Sequence, residues 1–490
     1  MTLLESAGRG LESEGCAAGP DRLISASEIR LSEIMSAFSL ALDLTQGYPQ
    51  GHCMRTALIG MRLANELRLP LEDSSALYYA LLLKDLGCSS NAAKIAYLFA
   101  ADDQAVKYAT RLIDWTKPGE NLRHCWNQCE PEGSLWNRMV RMWGLLRGGP
   151  EVGREISQIR CERGADIARR LQLSEATARA IYELDEHWDG RGTPQGLKGE
   201  EISLPARICC LAQTVEVYVR QHDVRSTCDI ARERCGTWFD PALVDALETF
   251  EGDASFWTRL YGDNLVNEVM RSEPEGRRLL ADEDCLDQVA QAFAMVVDAK
   301  SPWTYQHSTR VATIALGVAR QLGCTQEFER DLHRAALLHD LGKLGVSNTI
   351  LDKPGRLTPR EQAQVQKHPE YTASILEQVG AFQQLSRIAA GHHERLDGRG
   401  YHEGIAGDQI AWATRILTVA DIYEAMSARR PYREALDWEV IRTNLRNDAG
   451  TGVDPDCLRA LELWHEQCAL LPRVDAQLAA VECACSPVEC

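Results

Sequence analysis

Apolar residues recur every three or four positions along most of this chain. "CLDQVAQAFAMVVDA", "RVATIALGVARQL", "RDLHRAALLHDLG", "REQAQVQKHPEYTASILEQV" and "TRILTVADIYEAMSA" each gather Leu, Ile, Val, Ala, Phe or Met on one helical stripe. Period-2 alternation with β-branched enrichment is nearly absent. Gly and Pro cluster between the periodic segments, as in "DKPGRLTP" and "DGRGYHEG", and mark loops. The pattern predicts an all-α protein.

The pattern also repeats. "GHCMRTALIGMRLANEL" (51–67) lies over "QHSTRVATIALGVARQL" (306–322) at an offset of 255, and "ALLLKDLGC" lies over "AALLHDLGK" at the same offset. Farther on, "WDGRGTPQGLKGEEISLPARICCLAQTVEVY" matches "LDGRGYHEGIAGDQIAWATRILTVADIYEAM" at an offset of 208. The first copy therefore holds 255 − 208 = 47 extra residues between these blocks, around a Trp-rich insertion, "WTKPGENLRHCWNQCEPEGSLWNRMVRMWGLL". A period above 200 residues is a duplicated domain, not a solenoid. The expected organisation is an N-terminal segment (1–45), a first copy (46–251), a connection (252–284), a second copy (285–470) and a Cys-containing tail (471–490).

Composition adds exclusions. The 490 residues carry a formal net charge of −18, which argues against a broad nucleic-acid or anionic-membrane binder. The N-terminus lacks a basic n-region followed by an apolar core, and no apolar run approaches the roughly 20 residues of a membrane helix. A cytoplasmic protein is expected. The 17 cysteines are expected to be free thiols, many buried as small hydrophobes, with Cys483, Cys485 and Cys490 on an exposed tail.

Candidate chemistry concentrates in the second copy. His307, His339, Asp340, His368, His392, His393 and Asp421 fall at helix boundaries or on apolar faces. Burying such groups is costly unless they are paired or bind metal, and imidazole with carboxylate suits first-row divalent ions. Each residue alone has an ordinary structural reading. The ordered set H, HD, H, HH, D does not. His333, His402 and His465 stand outside it.

The segment from about Asp287 to Pro455 resembles the HD-GYP subgroup of the HD phosphohydrolase superfamily, through "HDLGKLGVSNTILDKPGRLTPRE", "KHPEYTASIL", "HHERLDGRGYHEG", "RILTVADIYEAM", "RRPYREAL" and "AGTGVDP". The resemblance implies two tandem HD-type helical domains, and in the second a metal-dependent phosphodiesterase that hydrolyses cyclic di-GMP to the linear dinucleotide or on to GMP. Its alternatives are a non-catalytic effector that binds a cyclic dinucleotide, and a phosphohydrolase for other nucleotides. The implied metal ligands are His307, His339, Asp340, His368, His392, His393 and Asp421, with Asp340 bridging two ions, iron or manganese. A third ion would need a glutamate where Trp303 stands. Asp340 and Lys343 are the implied catalytic residues, and Lys343, Tyr401, Arg430 and Arg433 the implied substrate contacts. Two departures are plain: His402 replaces the proline of Gly-Tyr-Pro, and Glu424 replaces an aspartate.

The first copy reads His52, Lys84, Asp85, Arg160, Leu184-Asp185 and Gln213 where the second has its ligand set. Cations in place of imidazoles are hostile to metal. This copy is expected to keep the fold and lack the chemistry, serving as a packing or dimerisation partner, a contact for a signalling protein, or an anion sensor through Lys84 and Arg160.

Overall fold

The computed structural model describes residues 29–470 apart from 277, 431 and 432. The tail cysteines Cys483, Cys485 and Cys490 and the first 28 residues lie outside the described residues. Helices and short 3-10 turns account for the regular structure, and pairing outside them is limited to isolated bridges among the described residues. No helix there is long and apolar enough to cross a membrane.

The duplication is visible helix by helix. His52–Glu66 answers to His307–Gln321, Leu71–Leu83 to Gln326–Leu338, Glu175–Glu183 to Gln383–Ala390, and Leu204–Val219 to Trp412–Ser427. Two close approaches fix the correspondence. A Cβ on Gly342 would stand 1.9 Å from the carbonyl oxygen of His368, and a Cβ on Gly87 1.8 Å from that of Arg160. Only glycine admits a backbone so near, and the same crossing occurs in both copies. It confirms that Arg160 takes the place of His368.

One hydrophobic core runs through both copies. The Leu31–Thr45 helix, which falls in the expected N-terminal segment, packs between them: its Asp43 accepts the backbone N–H of Gly51 in the first copy at 2.7 Å, and its Phe38 lies 4.0 Å from Phe293 and 6.0 Å from Phe382 in the second, ring centre to ring centre. It also repeats. Asp43 accepts the backbone N–H groups of Gly51, His52 and Cys53, and Asp298, 255 residues on, accepts that of Ser308. Residues 252–284 fold onto the first copy through the helices Ala254–Arg259 and Leu265–Ser272, with Phe256, Trp257 and Val269 buried.

Two local expectations change. "REQAQVQKHPEYTASILEQV" is two helices, Pro359–Val365 and His368–Leu376, because Pro369 lacks the N–H to continue the first. His368 thereby starts a helix and turns inward. Of the cysteines, twelve described ones are free and eight of those are buried, whereas Cys324 is disulfide-bonded.

Candidate metal centre

The second copy brings its ligand set together from five places. His307 opens the His307–Gln321 helix. Gln326–Leu338 ends in His339 and delivers Asp340 to a 3-10 turn, Leu341–Gly345. His368 opens its own helix, His392 and His393 sit in the 3-10 turn Gly391–His393, and Asp421 lies in the Trp412–Ser427 helix. All but His393 are buried to below 9% exposure.

The side chains fall into groups spaced like ligand sets. His307, His339 and Asp421 offer donor atoms within 4.8 Å of one another, as do His368, His392 and His393. Asp340 stands between the two. Its Oδ2 is 3.2 Å from Nε2 of His307 and 3.4 Å from Nε2 of His339. Its Oδ1 is 3.4 Å from Nε2 of His368 and 3.8 Å from Nε2 of His392.

The inner nitrogens are held ready. Nδ1 of His339, His368 and His392 each lies 2.6–2.7 Å from the carbonyl oxygen three residues earlier, of Ala336, Val365 and Ala389. A neutral ring that donates Nδ1–H keeps the Nε2 lone pair for a metal. Nδ1 of His307 instead meets the Glu424 carboxylate at 2.5 Å. Three atoms on the inner face, Nε2 of His307 and His339 and Oδ1 of Asp340, are buried without a hydrogen bond. Unpartnered polar atoms in so enclosed a place fit divalent cations.

Electrostatics agrees. Burial would raise Asp340 and Asp421, but the surrounding histidines, with Lys343 beside Asp340, hold both carboxyls well below the usual range. Burial, aided by neighbouring cations, pushes His368 down to about 3 and His393 down to about 4 and holds His392 low. His307 alone is driven up: burial opposes it, but Asp340, Asp421 and Glu424 prevail. Ionised carboxylates and mostly neutral imidazoles are the state a metal requires.

Of the expected substrate contacts, Lys343 puts Nζ 2.6 Å from Oδ2 of Asp340 and remains partly exposed. Tyr401 stacks on His393, ring centres 4.6 Å apart. Arg430 donates to Glu424 at 3.0 Å and to the carbonyl of Trp303 at 3.1 Å. Arg433 donates to the carbonyls of Ala425 and Met426, closing the end of the Asp421 helix. Both arginines thus have structural partners. His402 sits at φ +110°, a conformation closed to the proline it replaces. The sequence reading noted Glu424 only as a lengthened aspartate. Its role as the group that orients His307 and pairs with Arg310 at 2.6 Å was missed, though Glu216 and Arg55 repeat it in the first copy at 2.6 Å.

The first copy has filled the equivalent space with ion pairs. Lys84 pairs with Asp85, and Arg160 pairs with Asp185. Arg111 adds a second contact to Asp185 at 3.0 Å, and Gln46 donates to Asp85 at 3.1 Å. Gln213 is buried where Asp421 would be.

The HD domain family model matches residues 151–243 and 291–457. The chain is 42% identical over 432 residues, 88% of its own length and 94% of the relative's, to 3'3'-cGAMP-specific phosphodiesterase 3 of Vibrio cholerae. It is 35% identical over 196 residues, 38% of this chain and 50% of the relative, to a cyclic di-GMP phosphodiesterase response regulator of Xanthomonas campestris. Its fold matches the crystal structure of a cyclic GMP-AMP specific phosphodiesterase of V. cholerae with a TM-score of 0.63 at 38% identity, covering 90% of this chain and 98% of the other.

Proposed function

We propose that this chain, which belongs to the HD domain family and within it to the HD-GYP phosphodiesterases, opens a cyclic dinucleotide by metal-dependent hydrolysis in its second copy. The observation that carries the reading is Asp340, one oxygen on the His307–His339 group and the other on the His368–His392 group. Seven residues, His307, His339, Asp340, His368, His392, His393 and Asp421, would hold two divalent ions, iron or manganese, with Asp340 shared between them. Bound there, the ions would supply Lewis acidity and lower the pKa of a water enough to provide hydroxide near neutral pH.

The chain's own groups then have defined tasks. Lys343, partly exposed beside Asp340, neutralises a phosphate oxygen as a point charge. Tyr401 presents an aromatic face beside His393 for a base. Arg430 and Arg433 reach substrate only by exchanging their present carboxylate and carbonyl partners.

The relative that covers almost all of the chain acts on 3'3'-cGAMP, while the cyclic di-GMP enzyme matches over 38% of it. This favours 3'3'-cGAMP over the cyclic di-GMP expected from the motifs. The test is to load purified protein with Fe(II) or Mn(II), supply each dinucleotide separately, and follow the linear product by chromatography. Preferential opening of 3'3'-cGAMP supports the reading, and preferential opening of cyclic di-GMP reverses the substrate order. Binding without turnover at full metal loading makes the protein an effector.

A further inference from the structure

The Trp-rich insertion has no part in the metal centre. Its second half begins the helix Leu135–Arg170, which is broken at Gly149, at φ +59° and ψ −161°, just before Pro150. The 14 residues before the break form a rod of about 21 Å. One side faces the body: Met142 is buried, Arg138 donates to the carbonyls of Glu130 and Pro131, and Arg141 to that of Tyr97. The opposite side carries Leu135, Trp136, Met139, Val140, Trp143 and Leu146, all exposed, with Trp136 at 70% and Trp143 at 59%.

Core residues of a paired helix recur at alternating steps of three and four. Trp136, Met139, Trp143 and Leu146 follow that spacing over about three helical turns. The two indoles expose on the order of 300 Å² and the face as a whole on the order of 700 Å². That exceeds the roughly 300–600 Å² of the largest apolar patch on a typical monomer, and approaches the roughly 800 Å² each partner buries in a standard interface.

We propose that this face joins two copies of the chain, the rods packing antiparallel about a two-fold axis near residue 141. A two-fold interface must complement itself, and an alternating apolar seam does so. The antiparallel register sets Arg147 of one copy beside Leu135 of the other, next to the exposed Glu132. A membrane surface is the weaker occupant: the chain carries −18, and Arg138 and Arg141 are turned onto backbone carbonyls and away from any headgroup.

The test uses the full chain in size-exclusion chromatography with light scattering over roughly 1–50 µM, a range that resolves micromolar association. The wild type is expected as a two-chain particle. Trp136→Glu with Trp143→Glu is expected as a single chain with unchanged circular dichroism and melting, since both rings are exposed. Arg147→Glu weakens association a few-fold, the scale of one rim ion pair, and adding Glu132→Arg restores it. A wild type that stays single-chain throughout overturns the proposal, and its pelleting with phosphatidylglycerol vesicles, lost in the double tryptophan variant, would assign the face to a membrane. A double tryptophan variant that associates like the wild type overturns the proposed face. A charge swap that fails to restore association overturns the antiparallel register.

Discussion

The carboxylate of Asp103, in the first copy, accepts the backbone N–H of Asn348, in the second, at 2.9 Å. Asp103 is fully buried, with Lys107 3.3 Å away on its own helix and Lys300 of the second copy at 3.7 Å. Beside it, Gln104 donates to the carbonyl of Leu344, in the 3-10 turn that follows Asp340. The degenerate copy thus grips the turn that follows Asp340. Removing one member of a buried ionic group costs about 3–5 kcal/mol. Asp103→Ala should lower stability by that order in urea titration while both copies still unfold in one transition. A urea midpoint unchanged from the wild type would show that the contact does not bind the copies together.

Asp340 lies against both candidate ligand groups and His368 belongs to only one. Asp340→Ala should lose most bound metal at both groups and lower turnover at least about a hundredfold, the scale of losing a central electrostatic element. His368→Ala should leave His307, His339 and Asp421 able to hold an ion. Elemental analysis should then give near one metal per chain, against two for the wild type. Equal metal loss in the two variants would contradict the shared-aspartate arrangement.

Glu424 holds His307 by its Nδ1 and is itself held by Arg310 and Arg430. Glu424→Gln keeps the shape and removes the charge. Loss of such a supporting group costs about 10–100-fold in metal affinity or activity. Competition with a chelator should show the weaker binding.

In the first copy Glu216 is buried against His52 and Arg55. Burial alone would raise its carboxyl, but the His52 imidazole and the Arg55 guanidinium bring it down to about 2. A carboxyl depressed by folding stabilises above its unfolded pKa, and that contribution fades as pH falls through the folded one. The depression, from an ordinary 4.5, is worth about 3 kcal/mol. The margin of wild type over Glu216→Gln should be full at pH 7 and shrink steadily from pH 4.5 toward pH 2. A margin independent of pH would show that Glu216 acts by packing alone.

Sequence alone determined the helical class and the duplication, and marked the candidate ligand set, because each is written in short segments of the chain. A stripe of period 3.6 needs only its own residues, and "HD" against "KD" shows which copy has lost an imidazole. The overlay also located Lys84, Arg160 and Gln213 as replacements, and Gly87 crosses the backbone of Arg160 as Gly342 crosses that of His368.

Only the tertiary structure decided how these residues face one another. No spacing reveals that the two oxygens of Asp340 divide between two histidine groups, since that depends on five segments meeting at one point. The same holds for Glu424 on His307, 117 positions apart, and for Asp103 on Asn348, 245 apart. It holds too for the face of Trp136 and Trp143, whose apolar pattern would serve a core equally well. Whether such a stripe is buried or bare depends on what the rest of the chain packs against it, and the described residues leave it open to solvent.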